Sequence, residues 1–300
     1  MSYDRAREFL SSLGLPGADP GELPDSPHRF PDGAQYRIEI PSVEGPEAMA
    51  AVLDEAAGRG VRVHRVSQGS GVMLQTDEEL AAMAKQGTDK DVEVVLWSGL
   101  RAGWGTGAQP RAPSGALAGA AQAGTATVVA GVDEALRAVE AGIDGVLVAD
   151  LGLLAVLGEL RRRGDLPADF VLKVSVSLPV ANPATARTLV DLGATTLNLP
   201  VDLPLAVIAG IRAAVAVPLD LYVEGPDDFG APLRYHELPD LVRVAAPVHL
   251  KFTARNAPGI YPAGAHLREA VLATARERVR RAAIGRHTLV RHAPRATASP

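Results

Sequence analysis

The middle of the chain alternates. Residues 171–177, 195–199 and 219–224 each set apolar against polar positions with the two-residue period of a strand. Between them, residues 183–192 and 204–215 carry apolar side chains at helical spacing. Each of these runs opens on a proline, where a missing N–H costs no hydrogen bond. Strand, helix, strand, helix, strand with short connections predicts a parallel sheet with right-handed crossovers.

The same reading extends along the chain. Strands are expected at 35–40, 61–66, 92–97, 145–149 and 248–253, with helices at 46–57, 116–123, 133–141, 153–162, 235–242 and 266–284. A further helix should start after Thr76, with Glu79 completing a capping box. Eight strands with intervening helices define an α/β fold, a (β/α)8 TIM barrel over residues 34–284. Residues 1–33 read as an N-terminal helix and linker, and residues 285–300 as a disordered tail. The run 125–129 fits neither element type and is the discrepancy in the count. The stretch after the third strand is long and glycine-rich, the character of a lid. It carries Arg101 and Trp104, and its glycine spacing matches neither phosphate-binding fingerprint.

In a barrel the outward face of each strand must be apolar, which fixes the inward set. That rule turns Arg37 and Glu39, Arg62 and His64, Lys173, Ser175 and Ser177, Thr196 and Asn198, Asp220, Tyr222 and Glu224, and His249, Lys251 and Thr253 inward. Two of the chain's four lysines fall on inward positions, an expensive place for a charge without a partner. Sites of such barrels lie at the C-terminal ends of the strands. There, Glu39, Asp150 and Glu224 form a carboxylate set that could hold a divalent metal, facing Lys251 and Arg255 as a cation set. Ser177, Asn198, Tyr222, Arg101 and Trp104 are the expected substrate contacts. A structural ion network of Arg37, Glu39, Asp220 and Lys251 in the barrel floor is the competing reading.

Composition narrows the chemistry. Apolar residues make up 47% of the chain, enough for a full core, and a net charge of −5 argues against coating nucleic acid. With no cysteine, disulfides, thiolate nucleophiles and cysteine-held iron–sulfur clusters are excluded. No apolar run reaches the roughly 18 residues of a membrane span, and the N-terminus lacks a signal-peptide core, so a cytoplasmic protein is expected.

The runs DGVLVADLGLLAVL, VSVSLPVANPATARTLVDLGATTLNLPVDLPL, PLDLYVEG and VHLKFTARNAP resemble peptidase family U32, the collagenase-like TIM-barrel family. The opening IEIPSVEGPEAMAAVLDEAAGRGVRV resembles that family's first βα unit. The resemblance implies a TIM barrel and a peptidase label, and in some branches hydroxylation of RNA or quinone precursors with iron–sulfur clusters. Lys251 and Arg255 stand where the family has its lysine and arginine. Asp220, Glu224, Val176, Ser177, Val201 and Asp202 depart from its pattern, and its cysteines are absent. The expectation is a hydrolase acting on a small anionic molecule or peptide, with Glu39 or Glu224 activating water and Lys251 and Arg255 stabilising negative charge. A nucleoside- or aromatic-modifying enzyme without a cluster, or a non-catalytic binding barrel, are the alternatives. Self-association into a homo-oligomer is compatible with each.

Overall fold

The structure, a computed structural model, describes residues 4–12, 22–100, 108, 112, 119–230 and 232–300. Eight parallel strands close into a barrel in sequence order. They are β1 (Tyr36–Pro41), β2 (Arg65–Gln68), β3 (Glu93–Trp97), β4 (Gly145–Val148), β5 (Val171–Val174), β6 (Thr196–Asn198), β7 (Leu219–Glu224) and β8 (Val248–Phe252). Helix α1 (Asp4–Ser12) precedes the barrel. Around it lie α2 (Pro46–Arg59), α3 (Asp77–Lys90), α4 (Thr125–Glu140), α5 (Leu151–Arg163), α6 (Pro183–Asp191), α7 (Leu205–Ala214), α8 (Leu238–Ala245) and α9 (Arg268–His292).

Local chemistry sets several of these boundaries. Thr76 and Glu79 form the expected reciprocal capping box at the start of α3. Asn182 caps α6 ahead of Pro183, and Asp150 caps α5. The ambiguous run 125–129 is the first turn of α4, which removes the discrepancy in the strand count. Of the helix expected over 116–123, residues 116–118 lie outside the described residues, as do Arg101 and Trp104, and 119–123 form a short 3-10 turn and a bend instead.

The main core lies between barrel and helices. Outward side chains such as Ile38, Ile40, Val94, Leu96, Leu172, Leu197, Leu221, Leu250 and Phe252 pack against the helix layer. Helix α9 sits close on β8 because Gly285 has no side chain; a Cβ there would stand 2.5 Å from the Phe252 ring. Inside the barrel, Val95, Trp97, Leu147 and Ala149 form a separate apolar wall. The rest of the interior is polar.

Three expectations change. Strand β2 starts at Arg65, four residues later than the alternation of Val61 and Val63 suggests. Both valines are buried in the outer core while the chain passes beneath the barrel. Arg65 and Ser67 therefore face inward in place of Arg62 and His64. Arg62 instead binds Asp91 and the Lys90 carbonyl near the surface. Second, α9 runs to His292, and residues 293–300 are ordered under the barrel floor. Ala298 bridges Tyr36, and the Ser299 carbonyl meets the His64 ring at 3.0 Å. Third, β7 is irregular: Tyr222 pairs with Lys251 but Glu224 with Phe252, so one extra residue is accommodated at Val223.

Among the described residues, no helix is long and apolar enough to cross a membrane.

Candidate functional site

The polar half of the interior is built in two tiers by strand register. In the lower tier, Glu39 and Asp220 lie fully buried beside Lys173 and Arg65. Lys173 Nζ is paired with a Glu39 oxygen and lies 2.9 Å from Asp220 Oδ2. Arg65 contacts Asp220 Oδ1 at 3.1 Å and grips Glu93 on its other side. Ser67 donates to Glu39 at 2.6 Å, Thr196 donates to Asp220 at 3.0 Å, and His249 Nδ1 lies 2.9 Å from Asp220. Arg37 is outside this network. It reaches Asp32 and Ser299 at the floor and stacks on Phe30.

Electrostatics hold these groups in one charge state. Burial alone would raise the Glu39 carboxyl, but Lys173 and Lys251 outweigh it and hold it down to about 2. Burial opposes ionisation of Asp220 as well, yet Lys173 and Arg65 keep it well below the usual carboxylate range. Burial and the Arg65 charge lower His249, which favours its neutral form. Glu39, Asp220 and Glu93 thus balance Arg65, Lys173 and Lys251, the condition under which buried charges are tolerated.

The upper tier faces the C-terminal mouth. Register places Lys251 beside Tyr222, one step above the Asp220–His249 pair. Lys251 Nζ lies 4.3 Å above the Tyr222 ring centroid, a cation–π contact. With its oxygen turned to that ammonium, the Asn198 amide accepts from Lys251 at 2.9 Å and donates to the Asp220 carbonyl at 3.3 Å. Burial pushes the Tyr222 phenol up to about 12, so it stays protonated at neutral pH. The nearest carboxylate oxygen to Lys251 belongs to Glu39, at 3.5 Å.

The remaining expected site residues lie apart from this tier. The extra residue at Val223 turns Glu224 to the helix side. Its carboxylate accepts from the Tyr235 hydroxyl at 2.8 Å and the Arg255 backbone N–H at 2.9 Å, and lies 3.7 Å from Arg281 of α9. Asp150 is occupied as the α5 cap and by the Gln122 N–H. The metal set Glu39, Asp150 and Glu224 does not converge. Among the described residues no group of three His, Cys, Asp or Glu is placed to hold a metal ion. The Arg255 side chain is exposed beyond β8, and Ser177 is half-buried in the turn after β5, where its N–H donates to Ser175 Oγ.

A cavity of about 670 Å³ opens at the opposite, N-terminal end, lined by Arg37, Arg62, His64, Glu93, Asp144 and Ser299 among others. Arg37 and Arg62 there are already paired with Asp32 and Asp91. The convergent polar groups of the interior lie at the other end, where barrel chemistry takes place.

Comparison with known proteins gives one sequence match. Residues 125–227 match the model of peptidase family U32, a span covering β4 to β7. No curated protein matches the sequence. Among solved structures, the U32 peptidase Mk0906 aligns at 17% identity with a TM-score of 0.41, covering 69% of this chain and 73% of that one. A protein of Coccidioides immitis described as a fructose-1,6-biphosphate aldolase aligns at 12% identity with a TM-score of 0.52, covering 84% of this chain and 88% of that one. At that identity the likeness speaks for the barrel alone. The chain is a cysteine-free TIM barrel whose residues 125–227 match the sequence pattern of peptidase family U32.

Proposed function

We propose that the C-terminal mouth of the barrel is a hydrolase-type site for a small anionic molecule or peptide, centred on Lys251. The unequal pairing of two buried lysines carries this reading. Lys173 is matched by Glu39 and Asp220 at salt-bridge distance. Lys251 has one carboxylate, Glu39 at 3.5 Å, and its nearest oxygen is the neutral Asn198 amide at 2.9 Å. Its ammonium is the interior cation best able to take a further oxygen ligand.

In that role Lys251 and the protonated Tyr222 hydroxyl would stabilise negative charge developing on a carbonyl or phosphoryl oxygen. Asn198 orients the ammonium, and Glu39 positions it from below. A carboxyl held near 2 is a poor general base at neutral pH, so water activation is not assigned to Glu39. Arg255, at the rim, would steer an anionic substrate inward. The U32 match favours hydrolysis among the reactions such a site can run. No cysteine is present to hold an iron–sulfur cluster, so cluster chemistry does not fit this donor set.

The test is turnover. A mixed peptide library and a panel of carboxylate and phosphate esters would be incubated with the protein, with products followed by mass spectrometry. Wild type should cleave at least one member, and Lys251→Met should lose about 100-fold or more in kcat/KM. Equal rates for the two proteins, or no cleavage of any member, would overturn the reading.

A further inference from the structure

Four arginines are buried among the described residues: Arg65, Arg212, Arg234 and Arg278. Three are fully employed. Arg65 grips carboxylates, and Arg234 pairs with Glu237 and the Val201 carbonyl. Arg212 caps the carbonyls of Val215, Val217, Ala245 and Ala246. Arg278 of α9 differs. It is 4% exposed, donates to the Ser42 carbonyl at 3.1 Å, and its buried Nε has no partner. Among the described residues no carboxylate lies within salt-bridge distance of it, and burial of a guanidinium is costly.

The surroundings suit an incoming anion. Ser42, just past the C-terminal end of β1, adopts a φ of 61°, a left-handed conformation that a serine seldom takes without a functional reason. Its Oγ accepts from the Tyr261 hydroxyl, which leaves its own proton available. The Tyr261 ring lies against the backbone of Gly69, where a Cβ would come within 2.6 Å of it. The acidic group whose charge reaches the guanidinium is Glu44. Its oxygens accept from the Gly69 and Ser70 N–H groups at 2.8 and 3.1 Å. Ser42 follows the end of β1 and Gly69 the end of β2, and Tyr261 touches both, so this corner lies at the C-terminal mouth.

We propose that Arg278 and Ser42 form an oxoanion subsite at the β1–β8 corner of the barrel mouth, one that takes a carboxylate or phosphate group of a ligand. A single oxygen would satisfy the orphan Nε–H, and a second could reach the Ser42 hydroxyl. The subsite does not rest on the role given to Lys251.

Calorimetric titration with inorganic phosphate and, separately, with malonate tests it on the full chain. Wild type should bind one of them, and the tighter of the two tells whether the natural group is a phosphate or a carboxylate. Arg278→Gln should weaken binding about tenfold or more, and Arg278→Lys should restore part of it, because charge returns without the planar fork. Ser42→Gly suits the positive φ, so it keeps the fold while removing the hydroxyl, and should weaken binding several-fold. Binding is read without any turnover, so its loss in Arg278→Gln tests this subsite whatever the outcome for Lys251. Absence of binding by wild type, or binding unchanged in both Arg278→Gln and Ser42→Gly, would overturn the proposal.

Discussion

At the scale of single residues, the barrel interior is a matter of which charge answers which. Lys173 neutralises two carboxylates that have no access to water. Lys173→Met would leave three buried or half-buried carboxylates facing two cations, and unfolding in urea should show a loss of about 3–5 kcal/mol. Glu39 gives a pH signature. Its folded value near 2 lies below its unfolded value, so its contribution is complete above about pH 4.5 and is lost as pH falls toward 2. The stability of Glu39→Gln should therefore vary less over that range than that of wild type. Glu134 has the opposite sign. Burial on the inner side of α4 pushes it up to about 7, and it accepts from the Gly99 N–H. Its contribution is complete below its unfolded value and is lost as pH rises through 7. Chemical denaturation between pH 5 and 8 should show that fall in wild type and not in Glu134→Gln. The alternation of β5 to β8 made Lys173, Asn198, Asp220, Tyr222, His249 and Lys251 readable as interior residues. Arg278 was not readable, because it sits in a long arginine-rich helix that looks solvated from sequence.

At the scale of elements, two one-residue effects decide what faces the interior. Strand β2 begins at Arg65, and the phase taken from Val61 and Val63 fails because those valines belong to a segment beneath the barrel. The adjacent polar pair His64–Arg65 breaks the alternation at that junction and shifts its phase by one. The extra residue at Val223 likewise turns Glu224 outward with no change in composition. Its carboxylate then ties the β7 end to Tyr235, the Arg255 backbone and α9. Glu224→Ala should cost about 1–3 kcal/mol in denaturant unfolding by leaving buried donors unsatisfied. Glu224→Gln should keep its turnover, whereas loss of turnover in that isostere would return Glu224 to the chemistry. The tail shows a different limit. Residues 293–300 have too few apolar side chains to signal order, yet backbone hydrogen bonds from Thr297 and Ser299 to the start of β1 hold them in place. Order supplied by main-chain pairing leaves little trace in a hydropathy pattern.

At the scale of the whole molecule, the barrel divides its labour along its axis. The floor is closed by the tail and the middle by a balanced ion network; at the C-terminal mouth Lys251 has one carboxylate at 3.5 Å and the Arg278 Nε has no hydrogen-bond partner. The most direct test of that division is native mass spectrometry of gently purified wild type beside Lys251→Met. The account predicts a small anionic molecule retained by wild type and missing from Lys251→Met, with both proteins folded. The same molecule bound to both at equal occupancy would contradict it.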